Sequence, residues 1–268
     1  MMMQRLKNYY KYLLYKYSIL TDSLIKKQRK NPLSIPVIII NFNQLYYLEK
    51  LISFLIKRKF ENIIILDNQS SYPPLLQYYK SIESQITIHY LNDNLGHKVF
   101  YQKLELFNKY AKGYYFLTDA DVVPNENLPE NFPAEMLAIL DKYFRATTKV
   151  GMALQIDNIP DTFPLKTEVI KWEERFWMKE LEPQVYRADI DTTFALYKPG
   201  YFYKYQSDFI KGIRLAGYYT SKHGGWYKDR NNLTEEELYY QKTANVSSSW
   251  NFDDNGKMNN VYTKSYKE

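Results

Sequence analysis

Short apolar runs alternate with amphipathic stretches along the first half of the chain. The runs are rich in β-branched and aromatic residues, as is typical of strands that are buried on both faces of a parallel sheet. The stretches between them carry apolar residues at helical spacing. This alternation predicts an α/β fold with a Rossmann-like, mostly parallel sheet flanked by helices. The predicted strands are 36–40, 62–66, 86–90 and 114–118, and the predicted helices are 45–59 and 97–112.

The second half of the chain has a less regular pattern. Apolar runs predict strands at 150–156 and 193–197, and a mixture of aromatic and charged residues predicts a helix at 167–180. Thr234 and Glu237 have the spacing of a capping box, which predicts the start of another short helix. No internal repeat or low-complexity linker separates the two halves. We therefore expect both halves to belong to a single α/β domain.

The first 34 residues differ from the rest and predict a basic amphipathic helical arm, 1–34. Residues 1–30 contain eight basic residues and one acidic residue, and so carry the whole excess of the net charge of +6. The apolar face of this helix either packs against the body of the protein or lies on an anionic membrane surface. The apolar positions are Leu6, Tyr9, Tyr10, Leu13, Leu14, Tyr17 and Leu20.

Composition narrows the class of protein. The chain beyond residue 30 is not basic, so we expect no nucleic-acid partner. The chain contains no Cys, which excludes disulfides and Cys-based zinc sites. Neither a signal-peptide pattern nor a membrane-spanning apolar run is evident, and we expect a cytoplasmic protein, peripheral to a membrane if residues 1–30 contact lipid. The 28 tyrosines offer flat rings with polar tips, which suit stacking on sugars, although a compositional bias is the alternative.

Polar residues end the predicted strands at the edge where a parallel sheet binds its ligands. Asn41, Asp67 and Asp119 each follow an apolar run, and ligands bind at the carboxyl ends of such strands. The segment Asp119-Ala120-Asp121 places two carboxylates one residue apart after the fourth strand. Carboxylate oxygens of this kind hold a hard divalent cation, which can neutralise the charge of a leaving diphosphate. The alternative is a pair of turn aspartates that cap a helix.

The order of these segments resembles that of one enzyme family. Residues 35–124 are similar to the nucleotide-binding half of family 2 glycosyltransferases, which have the GT-A fold. The resemblance extends more weakly to about residue 250. Besides the two aspartates, it rests on Asn41-Phe42-Asn43 after the first strand, Asp67-Asn68-Gln69-Ser70 after the second, and Asn94-Leu95-Gly96 before a helix.

The resemblance implies a metal-dependent glycosyltransferase that moves a sugar from a UDP- or GDP-sugar to a glycan or other hydroxyl acceptor, with inversion. Polysaccharide biosynthesis is the process that such an activity implies. Residues 35–125 would form the nucleotide-sugar-binding half, residues 126–250 the acceptor-binding half, and residues 251–268 a polar tail. The resemblance also implies that Mn²⁺ or Mg²⁺ binds to Asp119 and Asp121. Its donor-site residues are Asn41, Asp67, Asn94, Asp119, Ala120 and Asp121.

The second half of the chain supplies candidates for a catalytic base and a further metal ligand. Inverting transfer needs a carboxylate that takes the proton of the acceptor hydroxyl. Asp189 and Asp191 lie in a predicted turn before a strand, and Asp191 is the first choice. The E-D dipeptide that often carries the base in family 2 enzymes is absent. His223 lies in a Gly-containing loop, and an imidazole ligand favours Mn²⁺ over Mg²⁺. Turn capping for the aspartates and a hydrogen-bonded loop histidine are the alternatives.

Two other functions compete with glycosyl transfer. A nucleotidyltransferase of related fold would need a Gly-rich and basic loop after the first strand to hold a triphosphate. Residues 41–45 contain no Gly, Lys or Arg, which argues against it. A non-catalytic sugar-binding protein is the other alternative. The presence of Asp119, Asp121 and a full nucleotide-binding half argues against that alternative.

Overall fold

The computed structural model describes residues 2–145, 147–191, 193–199, 211–244, 250–253 and 255–258, so most of the polar tail predicted at 251–268 lies outside it. The helices are α1 (Met2–Thr21), α2 (Ser23–Lys30), α3 (Tyr46–Lys57), α4 (Pro73–Ile82), α5 (Val99–Gln102), α6 (Leu104–Tyr110), α7 (Phe132–Lys142), α8 (Lys166–Glu174) and α9 (Glu235–Thr243). The strands are β1 (Val37–Asn41), β2 (Ile63–Asp67), β3 (Thr87–Tyr90), β4 (Tyr115–Asp119), β5 (Val122–Pro124), β6 (Lys149–Leu154), β7 (Glu180–Glu182), β8 (Val185–Asp189), β9 (Ala195–Tyr197) and β10 (Lys211–His223).

The described strands form one sheet, in the order β3-β2-β1-β4-β9-β6-β10-β8-β7, with β5 paired to β10. β1 is parallel to both β2 and β4, and β2 is parallel to β3. The apolar runs form β1 and β2 because every residue of these two strands is buried, which is the environment that such runs favour. The predicted α/β fold, with a parallel sheet flanked by helices, is confirmed.

The sheet becomes mixed beyond β4. β9 lies antiparallel between β4 and β6, whereas β10 is parallel to β6. The hairpin of β7 and β8 adds two antiparallel strands beside β10. The sequence pattern does not predict β10, because a bulge between Leu215 and Thr220, with Gly217 at φ +63°, interrupts its alternation. Since β10 and β4 run in the same direction, both strands end at the same edge of the sheet.

Two predicted helices are shorter than their patterns. The stretch 97–112 forms α5 and α6, which are separated by a non-helical residue, Lys103 (φ −86°, ψ 78°). The break lets the rings of Phe100 and Phe107 pack 5.4 Å apart, and both rings contact Tyr115 of β4. Packing against the sheet therefore decides the helix boundary here. The stretch 167–180 forms α8 followed by a 3-10 turn.

Helices cover both faces of the sheet. On one face, α3, α4, α7 and α8 bury their apolar side chains in the larger core cluster. On the other face, α5 and α6 cover a smaller cluster that includes Ile38, Leu66 and Leu117. The loops that follow the parallel strands are left at the carboxyl edge of the sheet, where the candidate residues lie.

The amino-terminal arm packs on the body of the protein through one face of α1. Tyr15 is fully buried, and its hydroxyl lies 2.5 Å from the hydroxyl of Tyr114 and donates to Asp141 Oδ1 at 2.8 Å. Arg29 of α2 donates to both carboxylate oxygens of Asp141. Burial, Tyr114 and Asp141 raise the pKa of Tyr15, which keeps its hydroxyl protonated as a donor. The helix therefore packs through Tyr12, Tyr15 and Ile19 rather than through the apolar face predicted from the sequence, most of which is exposed in the structure.

The described helices include none that is both long and apolar enough to cross a membrane.

Candidate functional site

The strand register brings the predicted strand-end residues together. Asn41 at the end of β1 is opposite Asp67 at the end of β2, and Ile40 of β1 is opposite Asp119 at the end of β4. Three polar side chains from three neighbouring strands therefore share the carboxyl edge of the sheet. This juxtaposition is the one that the alternation of strands and helices predicts.

Asn41 and Asp67 are joined below the surface by a tyrosine. Asn41 Nδ2 donates to the Tyr79 hydroxyl at 2.8 Å, and that hydroxyl donates to Asp67 Oδ1 at 2.9 Å. Asp67 Oδ2 accepts the backbone N–H of Ser70 at 2.9 Å. Asn41 is 1% exposed and Asp67 is 2% exposed, so both side chains lie beneath the surface at the carboxyl edge of the sheet. Asn41 Oδ1 is buried and has no hydrogen-bond partner among the described residues.

The segments after β2 and β3 contact each other through one amide side chain. Asn68 Nδ2 donates to the backbone carbonyl of Gly96 at 3.2 Å, and Asn68 Oδ1 accepts the backbone N–H of Leu95 at 3.4 Å. Asn94 is partly buried, and its Oδ1 accepts the N–H of Gly96 at 3.0 Å. Gly96 has φ +66°, a left-handed conformation that glycine adopts without strain. Two of the segments that carry the family resemblance thus form one hydrogen-bonded loop cluster.

The pairing of β5 with β10 brings His223 to Asp121. His223 is opposite Val122, the residue after Asp121, and His223 Nδ1 lies 3.6 Å from Asp121 Oδ2. The imidazole stacks on Trp226 with ring centroids 4.7 Å apart, which fixes its plane. Its Nδ1 is buried and, in the part of the chain that the structure covers, has no hydrogen-bond partner. The structure therefore assembles two of the predicted metal ligands from positions about a hundred residues apart.

Backbone contacts orient the Asp121 carboxylate. Its Oδ2 accepts the N–H of Gly225 at 3.2 Å, and its backbone carbonyl accepts the N–H of Gly224 at 2.7 Å. A Cβ at position 224 would lie 2.3 Å from the ring of Tyr47, so the close approach of this loop to α3 requires glycine. The Gly225 N–H therefore restrains Oδ2, which is also the carboxylate oxygen that lies near His223.

The donor set fits a divalent cation with two protein ligands. Asp121 and His223 converge, and an oxygen with an imidazole nitrogen is a set that suits Mn²⁺. Cations in nucleotide sites often take one or two carboxylates and complete their coordination with phosphate oxygens and water. The described residues contain no group of three or more His, Cys, Asp or Glu side chains in position to hold a metal. Asp119, at the end of β4, is therefore not assembled with the other two in this structure.

A cavity of about 580 Å³ is lined by Gly224 and Gly225, whose N–H groups bind Asp121, whereas Asp121 and His223 do not line it. The loop after β1, the start of α3 and the start of α9 form its walls. Glu236 of α9 accepts the backbone N–H groups of Leu45 at 2.8 Å and of Tyr46 at 3.0 Å, which caps α3 and closes one wall. The aromatic side chains that line the cavity are Tyr46, Tyr47, Tyr72, Tyr227 and Tyr240.

Sequence reasoning missed Lys228, which lines this cavity. Its side chain is buried, and burial lowers its pKa, whereas the nearby carboxylates of Asp121 and Glu237 oppose that shift. Lys228 therefore lies within electrostatic reach of Asp121, one of the candidate metal ligands. Nothing in the local sequence distinguishes Lys228 from a surface lysine, because Asp121 lies more than a hundred residues earlier in the chain. Another buried basic residue, Arg214, forms an ion pair with Glu173 at 2.7 Å and does not line this cavity.

Asp189 lies away from the candidate metal ligands. It is the last residue of β8 and pairs with Lys211, the first residue of β10. His223 is the last residue of the same strand. Asp189 therefore lies at the edge of the sheet where β10 begins, opposite to the edge that carries Asp121 and His223. The structure does not bring this predicted residue to the site.

Asp191 lies over the face of the sheet that carries Tyr197. Its backbone carbonyl accepts Lys149 Nζ at 3.0 Å and the Tyr197 hydroxyl at 3.4 Å, and its side chain is exposed. Burial and Tyr115 raise the pKa of Tyr197 most, and the carboxylates of Asp191 and Asp119 raise it further. The carboxylates of Asp191 and Asp189 both oppose the lowering of the pKa of Lys149, which pairs with Gly212 near the start of β10.

Lys149 gives this region a pH-dependent stability. Burial lowers the pKa of Lys149 from its ordinary value of 10.5 to about 7. Between these values the unfolded chain holds a proton that the folded chain has lost, so the free energy of unfolding should rise as the pH increases from about 7 to about 10. One proton gives at most about 1.4 kcal/mol per pH unit. Urea unfolding at several pH values should show this rise, and Lys149→Met should flatten it relative to Lys171→Met, an exposed control. An equal pH slope in the two variants would contradict the assignment.

Comparison with known proteins gives distant similarities only. The chain is similar to a mannosyltransferase from Pyrobaculum calidifontis in complex with GDP-Man and Mn²⁺, with a TM-score of 0.44 and 10% identity over 87% of this chain and 68% of that chain. It is also similar to a cytidylyltransferase from Leptospira borgpetersenii serovar Hardjo-bovis, with a TM-score of 0.34 and 7% identity over 63% and 62% of the two chains. No protein family and no curated protein sequence matches the chain. Similarities of this degree leave the function to be inferred from the residues of the site.

Proposed function

We propose that the protein is a metal-dependent glycosyltransferase that moves a sugar from a UDP- or GDP-sugar to a hydroxyl of a glycan acceptor, with inversion. One observation carries the proposal. Asp121 Oδ2 and the buried Nδ1 of His223, which has no hydrogen-bond partner among the described residues, lie 3.6 Å apart at the carboxyl edge of the sheet, and the adjoining Gly224 and Gly225 line a cavity of about 580 Å³. Such an edge is where α/β sheets bind nucleotides.

Asp121 and His223 are the residues that would hold the cation. The cation, when bound, supplies charge neutralisation for the leaving diphosphate. The Gly225 N–H keeps the Asp121 carboxylate in position, and the Trp226 ring keeps the imidazole plane fixed. Lys228 adds positive charge from the cavity wall. Asp119 is proposed as a further ligand, as the family resemblance implies. Its side chain would have to move towards Asp121 and His223 when the cation or the donor binds.

Asn41, Asp67 and Asn94 are proposed to shape the nucleoside pocket. Asp67 would position the Ser70 backbone and the Tyr79 ring rather than bind the nucleoside itself, because both of its carboxylate oxygens already accept hydrogen bonds from these two residues. The buried Oδ1 of Asn41 remains as an acceptor for a ligand donor. The short loop after β1 contains no Gly, Lys or Arg to hold a triphosphate, which supports glycosyl transfer over nucleotidyl transfer.

Asp191 is proposed as the base that takes the acceptor proton. Its side chain is exposed, so an acceptor hydroxyl can reach its carboxylate. Asp189 is the weaker candidate because it pairs with the first residue of β10. A carboxylate is suitable because it is ionised at neutral pH and accepts a proton as the hydroxyl attacks.

Thermal unfolding with a panel of nucleotides tests the proposed function. UDP or GDP at about a hundred times its dissociation constant should stabilise the protein by about 2.7 kcal/mol, which corresponds to a rise of several degrees in Tm for a chain of this size. The rise should require Mn²⁺. Incubation with UDP- and GDP-sugars and a glycan acceptor should then release the nucleoside diphosphate. Release of pyrophosphate from a nucleoside triphosphate and a sugar phosphate would instead identify a nucleotidyltransferase. If no nucleotide raised the Tm, both glycosyl transfer and nucleotidyl transfer would be contradicted.

A further inference from the structure

Helix α1 has two opposite faces with different surroundings. Tyr12, Tyr15 and Ile19 face the body of the protein and pack against its core. A helix turns by about 100° per residue, so residues at alternating intervals of three and four form one line along it. Such a line lies opposite the packed face, and we call it the exposed stripe. Its side chains are between 47% and 73% exposed, and they are Met3, Leu6, Tyr10, Leu13, Tyr17 and Leu20.

Basic residues border the exposed stripe. Lys7 and Lys16 are exposed and, at about 100° per residue, lie on its two sides. The sequence of α1 contains no Asp or Glu. Lys26, Lys27 and Lys30 of α2 are also exposed and extend the positive charge. The exposed stripe therefore has an apolar centre and a cationic border.

These charges decide between two occupants of the stripe. A second copy of α1 could repeat the three-four spacing of a coiled coil, but the bordering lysines of the two helices would meet without acidic partners. An anionic bilayer surface fits both features, because apolar side chains enter the interface while lysines contact the headgroups. The stripe is about 26 Å long from its first residue to its last. We propose that α1 docks the protein on an anionic lipid surface through the exposed stripe.

Docking through this stripe leaves the candidate site open. The packed face of α1 contacts Tyr114, immediately before β4, whereas Asp119 ends β4. The five residues of β4 span about 17 Å. Lipid on the exposed stripe is therefore separated from the carboxyl edge of the sheet, and vesicle binding should be independent of nucleotide binding. A variant that loses vesicle binding should still bind nucleotide, and a variant that loses nucleotide binding should still bind vesicles.

Co-sedimentation of the full chain with vesicles tests the docking. The protein should bind vesicles of phosphatidylcholine with about 30% phosphatidylglycerol and not vesicles of phosphatidylcholine alone. Binding should weaken as salt is raised, because surface charges are screened. The double variant Leu6→Gln, Leu20→Gln should bind the anionic vesicles at least about tenfold more weakly, because two apolar contacts with the interface are lost. Lys7→Glu with Lys16→Glu should also weaken binding.

Matched controls separate docking from general surface effects. Leu104→Gln removes an equally exposed leucine from α6, and Lys171→Glu reverses an exposed charge on α8; both should bind like the unmodified chain. All the substituted side chains are exposed, so Tm should not change. Absence of binding to anionic vesicles, or equal binding by the Leu6→Gln, Leu20→Gln variant, would overturn the proposal. A lipid-free dimer in analytical ultracentrifugation that this variant abolishes would assign the stripe to a second copy instead.

Discussion

Asp121→Asn is expected to lower the rate of glycosyl transfer by about 10²–10³, the loss that follows removal of one electrostatic contact to a developing charge. The variant should also lose the Mn²⁺ dependence of nucleotide binding, because a neutral amide is a poor ligand for a dication. Asn keeps an oxygen that can accept the Gly225 N–H, so the loop should keep its conformation. Steady-state transfer and nucleotide titration with and without Mn²⁺ measure both effects.

Two comparisons make the Asp121 result specific. Asp161→Asn removes an exposed carboxylate that forms an ion pair with Lys166, and it should behave like the unmodified chain. His223→Gln should reproduce the loss of Mn²⁺ dependence if the imidazole shares the cation. Asp119→Asn reports whether the second carboxylate joins the site once the donor is bound. Full activity of the Asp121→Asn variant in the presence of a chelator would exclude the metal-dependent mechanism.

Asp191→Asn is expected to reduce turnover by about 10²–10⁴, the range for loss of a general base. Nucleotide affinity and its Mn²⁺ dependence should not change, because Asp191 is not among the residues proposed to hold the nucleotide or the cation. Asp191 contacts Lys149 and Tyr197 through its backbone carbonyl, so the amide substitution should leave these contacts intact. Single-turnover measurements with a saturating donor separate this loss from slow product release.

Asp189→Asn is the matched control, because it makes the same chemical change two residues away. Its position opposite Lys211 predicts near-normal turnover. Equal losses in both variants would indicate a structural effect of the turn rather than proton transfer. Normal turnover in both would move the base elsewhere, and retention of the donor's anomeric configuration in the product would remove the inverting mechanism.

The parallel half of the fold follows from its sequence because its signals are local. The buried runs that form β1, β2 and β4 contain little besides apolar residues, and each ends in Asn or Asp. Strand direction then places those polar ends at one edge without further information. The observed register, with Asn41 opposite Asp67, is the arrangement that this reasoning predicts.

The rest of the candidate site depends on contacts that no local pattern encodes. His223 reaches Asp121 only because β10, which has a bulge and a left-handed Gly217, pairs with the short strand β5. The burial of Asp67 by Tyr79 likewise comes from the packing of α4. Asp189 and Asp191 look equivalent in sequence, and the register of β8 with β10 is what places Asp189 at the far edge of the sheet.

Helix α9 joins the site across nearly the whole chain. Asn43 Nδ2 donates to Thr243 across a separation of 200 residues, and Glu236 caps α3 across 191. Closing loops of this length costs conformational entropy, and this cost is offset only by contacts that form late and cooperatively in folding. A ribosome that adds about 5–20 residues per second needs about 10–40 s to make the second partner after the first. The parallel half of the sheet can therefore form on the nascent chain well before α9 supplies the last wall of the cavity, so competence to bind a donor should appear only after α9 has been made.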